Sequence, residues 1–226
     1  MQPFYIDIDR QNRLVTMVGV SFDELAPYFP ILPDNLLFLG GYSDHAVFDP
    51  FLCAFYAEGD DAHAVFRSAA PPNLAFIDYK KNARKFVSEK EITRFVKSAD
   101  QFVMPGNPFS VTLDNQYLYL SRDNQIKLYF KNIDRFMPML GRLLLNRFFD
   151  TDVTSPPDGA VLHQLQALCT NGVLFKKGKG NNCHLTMAGH LSKEQIDFLM
   201  ASGDMGLSPR YQLIFSKTGR WKIQTK

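Results

Sequence analysis

Three cysteines in 226 residues (Cys53, Cys169, Cys183), with no CxxC pair among them, argue against a disulfide framework and a structural zinc site. They read as thiols of a reducing compartment, and a cytoplasmic protein is the expectation. No stretch approaches 18 uninterrupted apolar residues, so no membrane span is expected. The opening Met1-Gln2-Pro3-Phe4-Tyr5 lacks a basic stretch followed by an apolar run, which argues against a signal peptide. Phosphate-cradling loops are missing. Gly40-Gly41 is too short, and Gly178-Lys179-Gly180 lacks both the GxxxxGK[ST] spacing and a following helix. Neither HExxH nor HxH occurs, so neither a metal nor another cofactor is expected.

Phenylalanine is abundant, at 20 copies against one tryptophan, and 46% hydrophobic with 21% charged content argues for a folded, aromatic-rich core. The length suits one large domain or two small ones. The pattern predicts an α+β fold of antiparallel β-hairpins and meanders packed with several helices. Phe4, Ile6 and Ile8 alternate with Tyr5, Asp7 and Asp9 as a half-buried strand, with residues 14–20 as its hairpin partner. Ser21/Glu24, Ser88/Glu91 and Ser192/Gln195 have capping-box spacing. Asp49-Pro50 predicts a helix through Phe51, Leu52 and Phe55. Residues 111–130 read as a three-strand meander, and residues 133–148 as the strongest helix, capped by Asn132. Breaks at Pro71-Pro72 and over 151–158 suggest three parts, 1–72, 73–155 and 156–226, which could form one continuous domain.

Charge is segregated along the chain. Residues 1–75 carry three Lys/Arg against ten Asp/Glu, a net of −7; residues 76–169 carry thirteen against ten, and residues 170–226 nine against three, a net of +6. Such polarity points to a polyanion meeting the C-terminal part and a basic protein partner for the acidic N-terminal part.

The basic part is organised as hairpins. Val161, Leu165 and Leu168 repeat at helical spacing, Gly172 supplies a left-handed turn, and residues 173–177 and 183–187 pair around Lys176-Lys177-Gly178-Lys179-Gly180-Asn181-Asn182. A second hairpin flanks Lys217-Thr218-Gly219, and period 2 puts Arg220, Lys222, Gln224 and Lys226 on one face, with Trp221 and Ile223 on the other. The thirty residues containing Leu165-x-x-Leu168, Gly172-Val173-Leu174 and Leu185-Thr186-Met187-Ala188-Gly189 are locally similar to the second half of a winged helix. The resemblance implies a wing at 176–182 that touches phosphates. No first limb of a helix-turn-helix is visible between Phe149 and Ala160, so insertion of a recognition helix into a major groove is not expected.

The expected DNA or RNA contacts are therefore Lys176, Lys177, Lys179, Lys217, Arg220 and Lys222, together with a second cluster of Lys80, Lys81, Arg84 and Lys85. Arg135 and Arg142, seven apart on one helix, could extend such a groove. Ordinary solvated lysines explain both clusters as well. Two other readings stay open. One is a subunit that binds proteins through its aromatic surface and charge polarity. The other is an enzyme using Asp44, His45, Asp49, Cys53, Asp60, Asp61, His63 and Arg67, in which Cys53 would be a nucleophile. Against the latter, Cys53 sits in Phe51-Leu52-Cys53-Ala54-Phe55, where a small buried hydrophobe is the expectation.

Overall fold

The alternating N-terminus forms β1 (Phe4–Asp9), which pairs antiparallel with β2 (Leu14–Val18), Ile6 opposite Met17 and Ile8 opposite Val15. The turn between them is held by Asp9, whose carboxylate accepts from the backbone and the side-chain amide of Asn12. The computed structural model describes residues 3–71, 73–104, 106–149, 158–203, 205–216 and 218–226. Pro72, Pro105 and most of the expected 151–158 linker lie outside the described residues. The chain divides into two compact units: Met1–Val20 with Asp134–Lys226, and Ser21–Ile133. These divisions fall elsewhere than the composition steps at 72 and 155.

In the unit Ser21–Ile133, Ser21 caps α1 (Phe22–Leu25) with a full capping box, and Pro27 follows in a 3₁₀ turn. Then come β3 (Asn35–Gly40), β4 (Val47–Asp49), β5 (Ala54–Glu58), α2 (Asp60–Val65), β6 (Ala75–Asp78), α3 (Glu89–Gln101), β7 (Tyr117–Arg122) and β8 (Gln125–Phe130). The strands lie in the order β8-β7-β6-β3-β5-β4, each antiparallel to its neighbour. One face is closed by aromatic rings. Phe76 stacks on Tyr119 at 5.0 Å, and Phe22 and Phe66 meet Phe76 edge-on. Such pairs add about 0.5–1.5 kcal/mol each beyond the area they bury.

Two local expectations are corrected in this unit. Residues 50–53 form a turn between β4 and β5 in place of a helix. Asp49 accepts from the amides of Phe51 and Leu52, and Cys53 takes φ 49°, which ends any helical path. The meander has two strands of its own, β7 and β8, and β6 supplies the neighbour of β7. The segment expected as its first strand is a loop organised by buried Asn115, which accepts from the Ser110 amide and donates to the carbonyls of Pro108 and Tyr117.

The other unit continues with α4 (Phe136–Leu144), preceded by a 3₁₀ turn and prolonged by a π-helical turn over Leu145–Phe149. After it come α5 (Gly159–Cys169), β9 (Val173–Lys177), β10 (Asn182–Met187), α6 (Lys193–Ser202), β11 (Tyr211–Phe215) and β12 (Trp221–Thr225). The order is β12-β11-β10-β9-β1-β2, again all antiparallel. The C-terminal segment is thus not closed on itself: β9 pairs with β1, Phe4 opposite Phe175. Phe4 stacks on both Phe175 and Phe148, at 5.0 and 5.4 Å. Trp221 packs in the core against Phe149 and Phe215, as its place in the alternation implies.

Gly172, at φ 61°, leads from α5 into β9, and its carbonyl accepts from Ala188. A Cβ there would collide with the Gly189 carbonyl oxygen and the Tyr5 hydroxyl, which are themselves hydrogen bonded at 2.8 Å. Gly172→Ala should therefore cost at least ~2 kcal/mol, from left-handed strain plus a clash with a backbone atom. Urea unfolding at fixed pH checks this; Gly206→Ala, with φ 67° and open space around it, isolates the strain alone.

Candidate functional site

Antiparallel register decides which basic residues share a surface, because residues directly opposite each other project to the same side of a sheet. In β9–β12 one side is core: Phe175, Cys183, Leu185, Leu213 and Trp221 are all buried. On the other side Lys176 lies opposite His184, His184 opposite Gln212, and Gln212 opposite Gln224, a row across four strands. The next row is Asn182, Ile214 and Lys222. Arg210 and Lys226 close the ladder, joined by a backbone bond of 2.9 Å. Lys176, Arg210, Lys222 and Lys226 are exposed, while His184, Gln212 and Gln224 are half-buried between them. No Asp or Glu occurs in any of the four strands. Helix α6 packs on the same side over Tyr5, Val18 and Leu174 through Leu199.

His184 shows the electrostatics of this surface. Partial burial, then the charges of Lys226 and Lys176, hold its imidazole below the ordinary histidine range. It is neutral near pH 7 and lies 3.3 Å from the Gln212 amide nitrogen. The face thus keeps several ammonium and guanidinium groups together around neutral hydrogen-bonding side chains.

The expected contacts separate in space. Lys176 and Lys222 lie on this face, and Arg220 is exposed directly before β12. Lys177 is exposed but projects to the opposite side, across from buried Cys183. Lys179 is exposed at the hairpin turn, where its carbonyl accepts from Asn182. Lys217 lies outside the described residues. Arg135 is half-buried in a 3₁₀ turn, and Arg142 is exposed on α4. Sequence reasoning missed Arg210, His184 and Gln212. The alternation of Arg210 with Gln212 was a usable signal, but their meeting with Lys176 depends on cross-strand register.

The 80–85 cluster, in the other unit, is partly committed to internal pairs. Arg84 pairs with Asp49, whose side chains are 18% and 8% exposed, lies 3.6 Å from Glu58 and stacks over Tyr56 at 3.7 Å. Arg84, one of the expected phosphate contacts, thus already faces two neighbouring carboxylates. The Lys80 and Lys131 amines both pair with Asp114, holding that carboxyl down at about 2. Lys81 and Lys85 are exposed on the rim of a cleft of about 760 Å³, whose walls also carry Asp34 and Glu58. Asp49 is 35 residues from Arg84, and Asp114 is 34 from Lys80 and 17 from Lys131, so composition alone hid these pairs.

The 44–67 cluster does not assemble into a thiol centre. Cys53 is exposed rather than buried, and its Sγ meets the Pro50 carbonyl at 3.7 Å. His63 is 3.0 Å from Asp34, and His45 is 3.8 Å from Asp61. Among the described residues no group of three or more His, Cys, Asp or Glu could hold a metal ion. No helix among them is long and apolar enough to cross a membrane. Comparison with protein-family models, with curated proteins and with solved structures finds no match to this chain.

Two measurements probe the 78–85 region. Arg84→Ala should lose about 2–4 kcal/mol by stranding buried Asp49, whereas Lys81→Ala and Lys85→Ala should stay within about 0.5 kcal/mol of the parent. Asp78 accepts from the Gln116 and Tyr117 amides, yet burial pushes its carboxyl up to about 6. The folded state therefore holds this proton after the unfolded chain has released it. The carboxyl's contribution to stability is highest below pH 4 and falls by ~3 kcal/mol as pH rises to about 6. The difference in unfolding free energy between the parent and Asp78→Asn, measured across that window, should show this limb.

Proposed function

We propose that the outward face of β9–β12 binds nucleic acid through its phosphate backbone. The observation that carries this reading is the cross-strand row from Lys176 to Gln224, flanked by Arg210, Lys222 and Lys226 on strands without a carboxylate. Cations fixed on a rigid sheet suit phosphate contacts, whose free energy comes largely from counterion release. Phe175, Tyr211, Phe215 and Trp221 take alternate positions and project to the opposite side, so the four strands themselves place no aromatic ring on this face. A backbone-led contact with duplex DNA or RNA fits such a surface better than single-strand binding does.

The winged-helix-like likeness enters this reading in a limited form. Helix α5, the Gly172 turn and β9–β10 follow one another along the chain, and under this reading the 178–181 turn would serve as the wing. Here β9 and β10 also have strand neighbours on both sides, β1 and β11, so the sheet face and not a free wing is the binding element. Three free cysteines, two of them buried with thiols pushed up by burial, suit a reducing, cytoplasmic setting.

Fluorescence polarisation with a short labelled duplex tests the proposal. The triple variant Lys176→Glu/Lys222→Glu/Lys226→Glu should bind at least about tenfold more weakly at low salt, with a shallower dependence of log K on log salt. Lys81→Glu/Lys85→Glu should change affinity less. Equal binding by the parent and the triple variant, or tighter binding of single strands than of duplex, sinks this assignment.

A further inference from the structure

We propose that the chain self-associates head to tail, β4 of one copy pairing edge to edge with β12 of a second copy. Both strands are outermost in their order: β4 pairs with β5 alone and β12 with β11 alone among the described residues. An outermost strand presents unpaired backbone N–H and C=O groups, a template for another strand.

The surroundings of the two edges are opposite in character. Residues 14–66 contain eight Asp/Glu and no Lys or Arg. Within that stretch, Asp44, Asp60 and Asp61 are exposed in the segments beside β4 and β5. The same region holds a surface cluster of rings. Phe55 stacks on Tyr42 at 4.4 Å and meets Phe48 at 5.2 Å, while Phe48 is 50% and Phe51 90% exposed. Large apolar groups gathered on an exposed edge mark an interaction surface. The β12 edge instead carries Arg220, Lys222 and Lys226, with no carboxylate in the strand.

Charge on an edge guards against pairing with a like edge. Asp49 of β4 is buried and paired with Arg84, so the negative guard there is the exposed Asp44, Asp60 and Asp61, while that on β12 is positive; each edge repels its own kind and attracts the other. Cations from β12 would also find the exposed faces of Phe48 and Tyr42, a favourable cation–π arrangement. A contact between two different patches is heterologous, so it propagates into rings or open chains. With only three residues in β4, the ladder is short, and association is weak and salt-sensitive. It does not depend on the nucleic-acid reading, and the test is run without nucleic acid.

Sedimentation velocity of the full chain, nuclease-treated and free of ultraviolet-absorbing nucleotide, is measured over a rising concentration series at low and high salt. The mean mass should grow with concentration at low salt and return toward monomer at high salt. Phe48→Ser and Lys222→Glu, both at exposed positions, should each need about tenfold more protein to associate. An equimolar mixture of the two should form a dimer and stop there, because it contains one intact β4 edge and one intact β12 edge. Circular dichroism checks that both variants fold, and Phe51→Ser gives a second lesion at the acidic edge. A monomer at every concentration, a mixture that stays monomeric, or variants that assemble like the parent overturn the proposal. So does a monomeric parent that binds a synthetic Lys/Arg-rich peptide at β4, since the occupant would then be a foreign basic segment.

Discussion

The pairing of β1 with β9 ties the two ends of the chain into one sheet, and the outward basic face rests on it. Phe4 sits opposite Phe175 and stacks on both Phe175 and Phe148. One turn away, the Tyr5 hydroxyl donates to Gly189 across 184 residues of sequence, in the space that Gly172 leaves open. The hairpin β9–β10 is therefore clamped on its β1 side by rings and on its β11 side by a continuing ladder. With the backbone beneath them already fixed, meeting phosphate orders only the cationic side chains and not the strands that carry them.

The same residue types have opposite fates in the two units, and burial decides which. Arg84 is drawn onto Asp49, Glu58 and the ring of Tyr56, where an unpaired carboxylate would cost more than the arginine loses in solvation. On β9–β12 no carboxylate is within the strands, and Lys176, Lys222 and Lys226 are exposed. The acidic, ring-bearing edge at β4 and the basic edge at β12 carry the charge segregation of the sequence into three dimensions. Both proposals draw on that segregation, one through a sheet face and the other through a sheet margin.

Local chemistry accounts for what could be read early. Period-2 alternation marked β1, β2, β8 and β12, and Ser/Glu or Ser/Gln spacing marked the starts of α1, α3 and α6. Both signals involve atoms a few residues apart, and in these elements no distant contact overrode them. The helix expected after Asp49 stops at a single turn: Asp49 accepts from the Phe51 and Leu52 amides as an N-cap does, but Cys53 at φ 49° ends the helical path and leads into β5. The third meander strand failed because Asn115, once buried, took hydrogen bonds from its own loop.

By itself the sequence determined the α+β class, most hairpins, the helix caps at Ser21, Ser88 and Ser192, the core place of Trp221 and the segregation of charge, whereas α4 begins at Phe136 after a 3₁₀ turn and is not capped by Asn132. Only the tertiary structure decided that β9 lies beside β1, that Lys176 aligns with Gln224 through His184 and Gln212, and that Arg84 is bound to Asp49. Each of these depends on strand order and register, which long-range pairing sets and no local pattern records.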